Sequence, residues 1–188
     1  MQLREALLYE KLSDSQVQCH LCNHRCKILP SYRGICGVRE NRDGVLYSLV
    51  YGLVIAEHID PIEKKPLFHF LPGSKTCSIA TAGCNFRCTF CQNHEISQVR
   101  LCKDMIVGRE TTPEEIVDRA QASGCASVAY TYTEPTVYFE FAYECCRLAH
   151  AKNIKNVFVS NGYMTNEAIE IIAPYLDGAN IDLKAYTE

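Results

Sequence analysis

From residue 76 onward the chain alternates short apolar runs with amphipathic segments, and this rhythm restricts the available folds more than any other feature. TCSIAT (76–81), ASVAYTY (126–132), NVFVS (156–160) and GANIDLK (178–184) read as strands. TTPEEIVDRAQASG reads as a helix, with Thr112 as N-cap, Pro113 at its first position, Glu115 closing a capping box and Gly124 ending it. Pro135 is expected to start a long helix on which Val137, Phe141 and Cys145 share one buried face, and TNEAIEIIAPYL makes another. Strands joined through helices pair in parallel with right-handed crossovers. In such sheets the ligand site lies at the C-terminal ends of the strands.

The part before residue 76 has a different character. A short amphipathic helix is expected over Arg4 to Lys11, then a loop-rich stretch crowded with cysteines. NRDG (41–44) makes a turn into VLYSLVYGLVIAEHI, whose length and β-branched content suggest a strand or hairpin. DPIEKKPLFHFLPGS (60–74) is hinge-like, and the expected division is a cysteine-rich module over 1–72 and an α/β core over 73–188. The 188 residues suffice for one domain with a small appendage, but a complete α/β barrel takes about 250.

Composition narrows the functional classes. With 47% hydrophobic residues, 22% charged and a net charge of −3, the chain has the balance of a soluble globular protein. Its basic residues are scattered, so no nucleic-acid partner is expected. No apolar stretch approaches the roughly 20 residues of a membrane span, and the N-terminus MQLREALLYEKL lacks the marks of a signal peptide. The expected location is therefore the cytoplasm, where clustered cysteines serve as metal ligands or catalytic thiols more often than as disulfides.

The 12 cysteines fall mainly into two knots. GCNFRCTFCQN (83–93) follows the first strand of the core, and its Cys84, Cys88 and Cys91 are spaced C-x₃-C-x₂-C. Three thiolates on one loop can grip a four-iron cubane and leave its fourth iron without a protein ligand, whereas structural zinc sites and electron-transfer clusters normally take four. The competing reading is zinc, with Cys77, Cys102 or a histidine as fourth ligand. Cys77 should point into the core, and Cys102, Cys125, Cys145 and Cys146 read as small buried hydrophobes. The other knot, Cys19, Cys22, Cys26 and Cys36, has the spacing C-x₂-C-x₃-C-x₉-C with His20 and His24 nearby. It suits a zinc ion or a second iron–sulfur cluster, between which the spacing does not choose, and free thiols or a redox pair also stay open.

The first of these motifs, with Phe90 just before its last cysteine, resembles the signature of the radical SAM enzymes. That resemblance implies a partial parallel (β/α) barrel of about four units behind the cysteine-rich module. It also implies a [4Fe–4S] cluster on Cys84, Cys88 and Cys91, whose open iron chelates S-adenosyl-L-methionine. Other strand ends carry further resemblances. Glu134 of YTEP (132–135) corresponds to the acidic group that binds the methionine amine. Ser160, Asn161 and Gly162 correspond to a turn that contacts ribose and carboxylate, and Asp182 and Lys184 of DLK to groups that reach the same parts of the cosubstrate. Phe90 is expected beside the adenine. Taken singly, Glu-Pro is also an ordinary helix start and Asn-Gly an ordinary turn.

The N-terminal half, CHLCNHRCKILPSYRGICGVRENRDG, YSLVYG and HIDPIEKKPLFHFLPGS, is similar to the AmmeMemoRadiSam-system radical SAM proteins, relatives of pyruvate formate-lyase activating enzyme. The implied chemistry is reductive cleavage of S-adenosylmethionine to a 5′-deoxyadenosyl radical, with electrons from a flavodoxin- or ferredoxin-like donor and a protein as the hydrogen donor. The resemblance further implies strands beyond Glu188, so the chain reads as a fragment; a chain that ended there would leave its fourth strand as an exposed edge. A non-catalytic zinc- or cluster-binding module, or an electron-transfer partner, remains the alternative class.

Overall fold

The computed structural model describes residues 3–99 and 106–186. It begins with six short strands, β1 (Arg4–Glu5), β2 (Tyr9–Lys11), β3 (Val17–Cys19), β4 (Lys27–Ile28), β5 (Arg39–Arg42) and β6 (Val45–Ser48). They form two antiparallel three-stranded sheets, ordered β1-β6-β5 and β2-β3-β4. The helix expected over Arg4 to Lys11 is therefore corrected to two strands. An eight-residue helix has little stability of its own, and here β1 and β2 instead find partners in β6 and β3. The NRDG turn is a two-residue hairpin between β5 and β6, with Asp43 and Gly44 both at positive φ.

The remaining elements are β7 (Leu53–Pro61), β8 (Lys75–Thr81), α1 (His94–Ser97), β9 (Arg109–Glu110), α2 (Pro113–Ala122), β10 (Ser127–Tyr130), α3 (Phe139–Ala151), β11 (Lys155–Ser160), α4 (Asn166–Ile172) and β12 (Gly178–Ile181). A six-stranded sheet runs in the order β12-β11-β10-β8-β7-β9. Its strands β8, β10, β11 and β12 are mutually parallel, while β7 lies antiparallel to β8 and β9 antiparallel to β7. The fold is thus mixed α/β around a largely parallel sheet, and the sheet is not closed into a barrel. β10 is buried at every position, as expected for a strand covered on both faces.

Helix α2 starts as its sequence requires. Thr112 accepts from the Glu115 amide and the Glu115 carboxylate accepts from the Thr112 amide, with Pro113 at the first position. Ile116, Val117 and Ala120 are buried beneath it. The segment from Pro135 opens as a 3-10 turn before the α-helix begins at Phe139, and α4 ends in a second 3-10 turn at Ala173–Tyr175. Val137, Phe141 and Cys145 are all buried, as are Cys77, Cys125 and Cys146, while Cys102 lies outside the described residues. β12 ends at Ile181, so Asp182 and Lys184 lie beyond the strand on which they were expected. Its outer edge is unpaired among the described residues, and Ile181 and Leu183 are exposed. No helix among the described residues is long and apolar enough to cross a membrane.

Two buried ion pairs join the parts. Arg39 in β5 meets Glu140 in α3 at 2.5 Å, both almost wholly buried. At the end of β7, Asp60 accepts from Lys64 and Lys65, each at 2.8 Å, and from the Tyr132 hydroxyl. Burial opposes ionisation of Asp60, but the hydrogen bonds from Lys64, Lys65 and Tyr132 prevail and hold its carboxyl well below the usual carboxylate range.

Replacing Thr112 with alanine should lower stability by about 1 kcal/mol, read as a shift of the urea midpoint at constant slope. A group with a depressed folded pKa contributes stability above its unfolded pKa, near 3.9 for an aspartate, and loses it as pH falls through the folded value. Asp60→Asn should therefore destabilise the protein at neutral pH and flatten the decline in stability below about pH 4. An unchanged acid limb in denaturation curves would remove Asp60 from this account.

Candidate functional site

β8 delivers the chain to its C-terminal end, where Gly83 turns it. Gly83 has a φ of +101°, and a Cβ there would lie 2.6 Å from Cγ1 of Val38, so only glycine fits. The Gly83 amide donates to the Ile96 carbonyl at 2.9 Å, which lets α1 close the loop that carries the three cysteines. Within this loop the Phe86 amide donates to Cys84 Sγ at 3.4 Å, and Cys91 Sγ lies 3.4 Å from Ser97 Oγ. Cys84, Cys88 and Cys91 all face one cleft of about 640 Å³.

The next strand end supplies Glu134. After β10 the chain passes through Tyr132 at a φ of +62°, in the left-handed region that costs a residue with a Cβ. Tyr132 is tied down at both ends, since its hydroxyl donates to Asp60 and its carbonyl accepts from Asn93 Nδ2 at 2.7 Å. Glu134 is 2% exposed. Its Oε1 accepts from the Thr136 amide, the Thr136 hydroxyl and the Ser160 hydroxyl, and its Oε2 accepts from the Asn161 amide. Burial pushes its pKa up, against the donors from Asn161, Thr136 and Ser160 that favour the ionised form.

The third strand end is the turn after β11. Ser160 Oγ accepts from the Gly162 amide at 3.0 Å, and Asn161 Nδ2 donates to Asn85 Oδ1 at 2.7 Å, which links the turn to the cysteine loop. Gly162 has a φ of +69°, and a Cβ would meet Ile181 at 2.7 Å. At the fourth strand end Lys184 Nζ donates to Asp182 Oδ2 at 2.7 Å.

The structure thus gathers into one cleft nine residues expected from the sequence: Cys84, Cys88, Cys91, Phe90, Glu134, Ser160, Asn161, Asp182 and Lys184. Gly162 is not among the lining residues and shapes the turn through its backbone. Spacing did not mark Lys64, Lys65, Tyr132 and Asn93, which complete the wall. Asn93 and Tyr132 lie within the motifs GCNFRCTFCQN and YTEP without having been singled out, and the paired lysines of DPIEKKPLFHF were the signal for the other two.

The donor set fits a cluster with an open iron. The described lining holds three cysteines and neither a fourth cysteine nor a histidine. Cys77, offered as a zinc ligand, is fully buried in β8, and His58, His69, His94 and His150 are exposed. Among the described residues no three His, Cys, Asp or Glu side chains stand at the spacing of a single coordinated ion. A cubane holds its thiolates farther apart than one tetrahedral ion does. The N-terminal cysteines are placed elsewhere: Cys19, Cys22, Cys26 and Cys36 surround a separate small cavity behind Thr136 and Val137.

Comparison with known proteins agrees with this geometry. The family model of the Radical SAM superfamily matches residues 78–188. An uncharacterized protein of Methanocaldococcus jannaschii is 50% identical over 182 residues, covering 97% of this chain and 54% of its own length. A second protein of that organism is 27% identical over 172 residues, with 88% and 45% covered. A cysteine-type anaerobic sulfatase-maturating enzyme of Clostridium perfringens is 34% identical over 90 residues, 46% of this chain and 24% of that enzyme. The chain spans about half the length of the archaeal relatives. Because the family match runs from Ser78 in β8 to the end of the sequence, the chain belongs to the radical SAM superfamily, whose members couple an iron–sulfur cluster to S-adenosylmethionine in radical chemistry.

Proposed function

We propose that Cys84, Cys88 and Cys91 hold a [4Fe–4S] cluster through three thiolates and that the polar strand ends hold S-adenosylmethionine against its open iron. The observation that carries this reading is the convergence of four consecutive strand ends on one cleft with three thiols and no fourth protein ligand among its described lining. With both groups bound, the chemistry supplied is one-electron cleavage of the sulfonium to methionine and a 5′-deoxyadenosyl radical.

The chain's own residues bind, orient and balance charge. Burial pushes the Cys84 thiol up to about 12, so its thiolate needs a metal cation to offset desolvation. Burial lowers the Lys184 pKa, but Asp182, Cys88 and Cys91 raise it further, so this side chain stays cationic beside the cysteine loop. It is therefore assigned to the methionine carboxylate. Glu134 is assigned to the methionine amine. Its Oε1 accepts three hydrogen bonds and its Oε2 only one, so Oε2 keeps a lone-pair position for the amine. Phe90, 65% exposed at the rim, is assigned to the adenine.

The finer reading is an activase that takes hydrogen from a protein substrate and receives its electron from a flavodoxin- or ferredoxin-like donor. Two things support it: the resemblance of the N-terminal half to radical SAM proteins related to pyruvate formate-lyase activating enzyme, and the sulfatase-maturating role in the name of the Clostridium perfringens relative.

Protein reconstituted anaerobically with iron and sulfide should turn brown and, with dithionite, release 5′-deoxyadenosine from S-adenosylmethionine, measured by chromatography. Cys88→Ser should reduce that release to background. Colourless wild-type protein holding only zinc would defeat the proposal. Glu134→Ala leaves four donors facing a void and should weaken S-adenosylmethionine binding by roughly tenfold or more. Calorimetric titration of the cluster-loaded protein tests this, and unchanged affinity would remove Glu134 from the site.

A further inference from the structure

The cofactor cleft leaves the N-terminal cysteines unused, yet they are gathered as deliberately as the other three. Cys19 lies at the end of β3, Cys22 and Cys26 follow on one loop, and Cys36 sits before β5. All four line the same small cavity together with Arg39. Arg39 is 2% exposed, and Glu140 takes only its Nη2, so its Nε and Nη1 are buried with no hydrogen-bond partner. A buried guanidinium with two unspent donors beside four sulfurs is placed to meet excess negative charge. Neutral thiols supply none, but four thiolates round a metal do.

The same loop is fastened to the cofactor cleft. Cys22 forms a β-bridge with Met164, the Asn23 amide donates to the Tyr163 carbonyl, and the Thr165 hydroxyl donates to the His20 carbonyl. These contacts seize the segment that follows the Ser160–Gly162 turn. His24 Nε2 lies 2.9 Å from the Asn85 carbonyl, which can only accept, so Nε2 is the donor of this bond. The Asn85 side-chain nitrogen is buried without a full hydrogen bond and lies close to Cys22, while its oxygen accepts from Asn161. Asn85 is the residue next to Cys84, so one residue separates the two cysteine knots.

We propose that Cys19, Cys22, Cys26 and Cys36 bind a metal centre of their own through four thiolates, charge-balanced by Arg39, and that this centre seats the N-terminal module on the cofactor cleft. Each thiol gives its proton to solvent as it binds. At the spacing the structure shows, too wide for a single coordinated ion among the described residues, the four sulfurs suit an iron–sulfur cluster, and a zinc ion would require them to draw together; in both cases the protein fills every ligand position. The centre is therefore a brace, with no open site for a substrate. It does not depend on the S-adenosylmethionine reading, because it uses none of the same ligands.

The test is the whole chain carrying Cys84→Ala, Cys88→Ala and Cys91→Ala, purified without oxygen and analysed for zinc, iron and acid-labile sulfide. About one zinc without sulfide, or about four irons with as many sulfides, supports the proposal and tells the two apart. Metal-free folded protein overturns it. Should the triple variant not fold, iodoacetamide labelling of the wild-type chain decides by peptide mass spectrometry. Cys19, Cys22, Cys26 and Cys36 are expected to be protected together and exposed together by a chelator, and separate, chelator-independent labelling would refute a shared centre. Arg39→Met, which keeps the apolar stem, should shift the metal affinity of this centre by at least tenfold and leave the iron bound by the other three cysteines unchanged. Equal affinity in the variant would eliminate the charge-balancing role.

Discussion

The Glu134 carboxylate is almost shut off from water and accepts from Thr136, Ser160 and Asn161, so it ties the ends of β10 and β11 together. A carboxylate in that position is held only while its donors stay in place, because an unmet buried polar group costs about 1–3 kcal/mol. The arrangement is mutually enforcing: the acid needs the turn, and the turn takes its shape from the acid. Asn161 passes the constraint on to Asn85, and through it to the loop with Cys84. Three of the four strand ends are thereby fixed relative to one another by hydrogen bonds that work only at short range.

Charge is distributed over the cleft in the same economical way. Lys184 and Asp182 pair at its fourth strand end, and Lys64 and Lys65 pair with Asp60 on the opposite wall. Tyr132 belongs to the second of these walls, with its hydroxyl on Asp60 and the Lys65 ammonium 4.4 Å from its ring centre. Its left-handed backbone is a local cost that these contacts over-determine. Cations lining a site with three cysteines would lower the cost of holding anionic sulfur away from water.

The N-terminal module and the parallel sheet are packed as one unit. Arg39 reaches from β5 to Glu140 in α3, β7 extends the six-stranded sheet, and the loop of Cys22 is bonded to the segment after β11. Removing either partner of the buried Arg39–Glu140 pair would leave an uncompensated charge, which is far more costly than the pair itself is favourable. The module therefore meets the cleft through the backbone it holds and through Lys64 and Lys65, which line its wall.

Sequence alone determined the strand–helix alternation, the capping of α2, the hairpin turn at Asp43–Gly44 and the cysteine loop with the polar residues that meet it, because each is written in local spacing or local side-chain chemistry. Nine of the ten residues it placed round the cofactor share one cleft, since parallel strands joined by helices must present their C-terminal ends on one side. Tertiary structure decided the rest. The stretch from Arg4 to Lys11 has a helical pattern yet forms strands, because β6 and β3 offer it hydrogen bonds that a lone short helix cannot match. Likewise the tie from Glu134 to the turn after β11, the joining of Tyr132 to Asp60 and the meeting of Arg39 with Glu140 depend on pairings across scores of residues, and such distances leave no mark in a linear pattern.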